Sequence, residues 1–242
     1  MNTKNLVVIF VVISANLIAF FWGGYNTLSP VMFLAGLMGA TLLSAWTAIR
    51  METKSLVSFV AATILVASMD EYAHTSVGTL TYFDHAIPSP LTVLAWSLLM
   101  MFILTTTRLM MKFHLLSIID WKMLRTLPAL ASIVLVSTSV VRQGYVHIFK
   151  WTLVLVYVTL GLASLYYSNR YSLKWNLLLM ISSLTLGFFT EFTGALEGLW
   201  TFRYAEPVSL FIVFSWPLRF WAVGALCLLF NVDLSKNMTI EI

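Results

Sequence analysis

Long apolar runs, broken by short polar clusters, make up almost the whole chain. Eight of them, residues 6–22, 31–49, 56–74, 91–107, 127–141, 149–167, 176–194 and 208–230, are long enough to span or nearly span a bilayer. Each is expected to be a helix, because a lone segment in lipid must satisfy its own backbone N–H and C=O groups. Adding 120 to the positions of the first four runs lands on the last four. The predicted fold class is therefore all-α integral membrane, with about eight transmembrane helices in two four-helix repeats. An even number of spans per unit makes those repeats parallel. Residues 1–107 form the first repeat, 108–125 a connector, and 126–242 the second repeat with a short C-terminal tail.

The repeat is sharpest across residues 71–96 and 191–216. Without a gap, Glu71 falls on Glu191, Gly78 on Gly198, Thr81 on Thr201, Tyr82 on Phe202 and Trp96 on Trp216. Upstream, Arg50 and Lys54 fall on Arg170 and Lys174. Each half thus carries one glutamate at the same place near the end of an apolar run.

Composition agrees with this pattern and narrows it. Of 242 residues, 60% are hydrophobic and 10% charged, with a mean hydropathy of +0.90; a water-soluble chain carries about 25% charged residues. The net charge of +4 does not point to nucleic acid, because the basic residues are scattered through short loops. They report topology instead. Lys4, Arg50, Lys54, Arg108, Lys112, Lys122, Arg125, Arg170, Lys174 and Lys236 fall on one side of the membrane, against Arg142, Lys150 and Arg203 on the other. That bias places both termini in the cytoplasm, with the protein in the cell membrane. Residues 108–125 mix basic and apolar side chains and read as an amphipathic helix on the inner surface. Met1-Asn2-Thr3-Lys4 resembles the basic head of a signal peptide, but the run after it matches residues 125–142 at the repeat offset, so it is expected to remain as a helix. Cys227, the one cysteine, sits in an apolar run, which excludes an intrachain disulfide and a cysteine-based metal site.

Candidate chemistry gathers toward the outer end. The helix-breaking stretches 78–90 and 194–207 follow directly after the glutamates and collect Asp84, Glu197 and Glu206 with Tyr82, Phe83, Trp200, Phe202 and Tyr204. Glu71 lies sixteen residues into its run, about 24 Å from the inner end, so nearer the outer interface than the midplane. An acid inside a span is costly and marks a site by default; the competing reading is a solvated interfacial carboxylate. A protonated carboxyl in an aromatic-lined cavity can deliver its proton to a carbon–carbon double bond. The resulting carbocation is stabilised over ring faces. Tyr82, Trp96, Trp200, Phe202 and Trp216 are the aromatic candidates, although such residues also form interfacial belts.

Other constellations carry less. Glu71-x-x-His74, beside Asp70, has di-iron spacing, but the second half offers Glu191-x-x-Gly194 and the chain holds only four histidines, so no metal is expected. Arg219, inside the last span, reads as a structural tie to a glutamate. Gly78 and Gly198 read as turn or close-packing glycines. No nucleotide, thiolate or nucleophile motif is present, and no cofactor is expected.

The stretch from Glu191-Phe192-Thr193-Gly194 through Gly198-Leu199-Trp200-Thr201-Phe202-Arg203-Tyr204 to Trp216 resembles the signature of integral-membrane carotenoid-biosynthesis proteins. It is most similar to carotenoid hydratases of the bisanhydrobacterioruberin hydratase kind, and Gly198-Leu199-Trp200-Thr201-Phe202 also resembles a motif of the small membrane lycopene cyclases. The resemblance implies a lyase- or isomerase-type activity on the end of a long isoprenoid. Glu191, or Glu71, would be the proton donor, and Gly194, Gly198 and Trp216 would shape the site. The chain departs from the hydratases at Leu199, Trp200 and Thr201. It departs from the cyclases at Pro207-Val208-Ser209, where they carry Pro-Glu-Glu.

The expected function is a membrane enzyme that protonates a terminal double bond of a hydrophobic isoprenoid, with lipid as its other surrounding. The alternative is a non-catalytic membrane subunit that packs against protein partners in a larger complex. A transporter with paired acids fits less well, because the glutamates sit away from the midplane.

Overall fold

The computed structural model describes residues 44, 47, 48, 50–82, 85, 87, 90–112, 120–143, 150–196, 198–203 and 208–235. The expected spans 6–22 and 31–49 lie outside the described residues, apart from positions 44, 47 and 48. So do residues 113–119 of the expected connector and residues 236–242 of the tail.

Six helices carry the described fold: α1 (Thr53–Val77), α2 (Pro90–Lys112), α3 (Leu127–Arg142), α4 (Trp151–Ser168), α5 (Leu173–Leu196) and α6 (Leu210–Leu229). All six are long and apolar enough to cross a membrane, α3 when counted with the 3-10 turn Lys122–Leu124 before it. The chain is a helical membrane protein. α6 is the most enclosed and packs against α1, α3, α4 and α5, while α2 packs against α1 and α5. α3 and α4 turn Leu130, Val134, Leu155, Val158 and Leu162 outward, as a lipid-facing surface requires.

Helix ends follow from local chemistry. α1 stops at Gly78, whose φ of 70° belongs to the left-handed region that a residue without Cβ enters freely. Gly198, φ 71°, closes α5 in the same way. The Gly78 and Thr79 N–H groups donate to Thr75 and His74 carbonyls, and the Gly198 and Leu199 N–H groups donate to Ala195 and Gly194. α5 begins where Ser172 Oγ accepts from the Trp175 N–H at 3.2 Å and Asp120 Oδ1 accepts from the Leu173 N–H at 2.8 Å. α2 continues to Lys112, past the expected end at residue 107, because Leu109, Met110 and Met111 prolong the apolar pattern. Arg108 and Lys112 therefore ride on that helix rather than in the connector.

Just beyond the two glycines the chain forms two three-residue strands, β1 (Leu80–Tyr82) and β2 (Trp200–Phe202). They pair antiparallel, Leu80 with Phe202, Thr81 with Thr201 and Tyr82 with Trp200. Runs of three residues carry no readable period, so both stretches read as loops in the sequence. The ribbon ties the end of α1 to the end of α5 and so brings the two glutamate-bearing helix ends together.

Candidate functional site

Beneath the ribbon five ionisable side chains lie almost sealed from the surface: Asp70 (0% exposed), Glu71 (4%), His74 (1%), Glu191 (6%) and Arg219 (2%). Asp70, Glu71 and His74 come from α1, Glu191 from α5 and Arg219 from the middle of α6. Burying so many costs far more than each can repay alone, so they must satisfy one another.

Glu71 is held by neutral donors. Tyr82 Oη donates to Oε2 at 2.5 Å, and Trp96 Nε1 donates to Oε1 at 2.9 Å. Glu191 repeats half of this arrangement: Trp216 Nε1 donates to its Oε1, also at 2.9 Å. The residue corresponding to Tyr82 is Phe202, which has no hydroxyl to donate. Only one Glu191 oxygen therefore completes a hydrogen bond to a described residue. Trp200 Nε1 lies beside this carboxyl but completes no hydrogen bond of its own.

Arg219 organises the centre. Its Nη2 is 2.7 Å from Asp70 Oδ2, and its Nη1 is 3.9 Å from Glu191 Oε1. The guanidinium carbon also stands 4.9 Å from the Trp96 ring centre and 4.8 Å from that of Trp216, while the two indoles are 4.7 Å apart. Charge and cation–π contact both fix the arginine. The tie to a glutamate expected from the sequence is present at Glu191, and Asp70 adds a second, shorter one.

His74 completes the cluster through two side-chain hydrogen bonds. The Thr79 hydroxyl donates its one proton to the His74 carbonyl at 3.0 Å, so at 2.7 Å from Thr79 Oγ1 the ring Nδ1 is the donor. In the neutral ring, Nε2 then accepts from Tyr157 Oη at 2.8 Å. Asp70 Oδ1 is 3.8 Å from the same Nε2. Among the described residues no three His, Cys, Asp or Glu side chains converge on a metal position.

The structure gathers Glu71, Glu191, Tyr82, Trp96, Trp200 and Trp216 in one region. Trp200 stacks edge-on against Tyr82 at 5.9 Å and fills the space where Gly194 lacks a Cβ. Gly198 and Phe202 act through the turn and the ribbon: nothing lies within 4 Å of where a Gly198 Cβ would point, and Phe202 is buried opposite Leu80. Asp70 and Tyr157 were not singled out as site residues from sequence. Asp70 had the signal that marked Glu71, an acid inside a span, and Arg219 in the last span required a counter-charge. Asp84, Glu197 and Glu206 lie outside the described residues.

No family model matches this sequence, and no curated protein or solved structure matches it either.

Proposed function

We propose that the chain is a cell-membrane enzyme of isoprenoid metabolism, built from two parallel four-helix repeats with cytoplasmic termini, in which Glu191 protonates a terminal double bond. The single observation that carries this reading is the inequality of the two glutamates. Among the described residues, Glu71 has both oxygens occupied by neutral donors, whereas Glu191 has one, with Trp200 beside it. The duplication is supported by the indole-to-glutamate bonds and the glycine caps recurring 120 positions apart, and by the ribbon register centring on Thr81 and Thr201.

The Asp70–Arg219 pair is neutral overall, so the cluster balances when Glu71 and Glu191 both carry their protons. The proton passes from the Glu191 carboxyl to the less substituted carbon of the double bond, whose π electrons form the new C–H bond and leave a tertiary cation. The Trp96 and Trp216 faces already carry the guanidinium. Stabilising the carbocation falls to Trp200 and Tyr82. Water then adds and returns a proton to the Glu191 carboxylate, or a neighbouring double bond closes a ring and the carbon beside the new cation gives its proton back to that carboxylate. Neither branch needs an oxidant or reductant. The family resemblance points to a carotenoid end group as substrate.

A non-catalytic membrane subunit is the second reading, favoured by the Asp70–Arg219 tie, which joins the two halves whether or not any chemistry follows. The test is expression in cells that accumulate an acyclic carotenoid, grown in deuterated water. A product one water heavier, or a cyclic isomer, with deuterium at the former terminal double bond supports the enzyme. Unchanged pigment beside correctly folded protein rejects it in favour of the subunit.

A further inference from the structure

At the end of the bundle opposite the ribbon lies a cavity of about 940 Å³, between the ends of α2 and α6 and the turn from α4 to α5. Arg108, Lys112, Arg125 and Arg170 line it against a single carboxylate, Asp233. Arg125 is already paired with Asp120, and the Arg170 guanidinium sits over the Tyr166 ring at 4.5 Å. Arg108 differs from the other three. Its side chain is buried, with the residue only 7% exposed, and its Nη2 donates to the Leu234 carbonyl. Its Nη1 is buried with no hydrogen-bond partner among the described residues. The Trp175 indole N–H, on the same wall, lies beside the Tyr167 hydroxyl and completes no hydrogen bond either. Unmatched donors of this kind cost free energy unless something accepts from them.

The geometry points to an anionic phosphate group as the occupant. With Nη2 held on the Leu234 carbonyl, Arg108 Nη1 is left to donate to a phosphate oxygen, a charge-assisted bond that a guanidinium makes well. Met111 and Leu228 add apolar wall beside these donors, which suits a phosphate carried on a hydrocarbon chain. The charge bias of the loops puts this mouth on the cytoplasmic side, where anionic lipid head groups are found. A lipid head group and a soluble phosphate present the same chemistry here. This site is distinct from the Glu191 centre, and its failure would leave the proposed reaction untouched.

The test is native mass spectrometry of the full-length protein from detergent, offered phosphatidylglycerol, phosphatidylcholine or inorganic phosphate. Wild type should retain phosphatidylglycerol about tenfold better than the zwitterionic lipid. The Lys112→Gln/Arg170→Gln variant changes only exposed rim side chains and should lose most of that preference. Arg108→Gln should lose the adduct; Arg108→Lys, which keeps the charge but not the fork, should restore it in part. Inorganic phosphate that displaces the lipid at millimolar concentration would assign the site to a soluble phosphate. Equal retention of both lipids by wild type and rim variant, with no phosphate adduct, would overturn the proposal.

Discussion

Arg219 Nη2 lies 2.7 Å from Asp70 Oδ2, with both side chains inside the bundle, so α6 and α1 are joined by a charge pair that water does not reach. Removing one partner strands the other. Asp70→Asn should destabilise the protein by about 3–5 kcal/mol, read as a fall in detergent unfolding midpoint. The double change Asp70→Leu/Arg219→Met should cost much less than the sum of the single changes. Additive losses in that cycle would mean that the pair is not coupled.

Tyr82 and Phe202 occupy corresponding places but treat their glutamates differently. Tyr82→Phe leaves Glu71 Oε2 buried without its donor and should cost about 1–3 kcal/mol. Phe202→Tyr offers Glu191 the donor that Glu71 already has. It should slow product formation while leaving the unfolding midpoint near wild type. A rate unchanged by Phe202→Tyr would argue against the under-bonded Glu191 as the acid.

The glycines separate two physical effects. A Cβ at Gly194 would collide with the Trp200 ring, so Gly194→Ala should cost about 1–3 kcal/mol and alter tryptophan fluorescence. Gly198→Ala meets no neighbour but must hold φ at 71°, and should cost about 1 kcal/mol with the fluorescence unchanged. Equal spectral changes in both variants would remove the distinction.

Outside the spans, the Arg125 guanidinium and then the Leu173 N–H hold the Asp120 carboxyl below its usual range. Folding that lowers a carboxyl pKa stabilises the protein above the unfolded value of about 3.9, and that contribution is lost as pH falls through the folded value. Asp120→Asn should therefore leave a shallower loss of unfolding midpoint below about pH 4. An acid limb identical to wild type would show that the cap at α5 contributes nothing.

Much of the frame was legible because apolar length and ionisable residues inside spans are strong signals. The six described helices coincide with six of the eight expected runs, and Glu71 and Glu191 emerged from a match between halves. The same match hid the charge pair. Asp70 corresponds to Thr190 and Arg219 to Leu99, so neither partner recurs, and the repeat carries no sign that the two meet. The ribbon was illegible for another reason: three-residue strands gain their hydrogen bonds only once α2 and α6, which pack against both α1 and α5, hold the ends of those two helices near each other.

Glu191 is tested most directly as the acid by comparing Glu191→Gln with Glu71→Gln, both purified as folded protein and assayed for conversion of an acyclic isoprenoid. Glu191→Gln should lower the rate by about a hundredfold or more. Glu71→Gln should keep most of the rate and lose stability instead, because its hydrogen bonds to Tyr82 and Trp96 are structural. Conversion that survives Glu191→Gln, or that Glu71→Gln abolishes equally, would contradict the assignment of Glu191 as the acid.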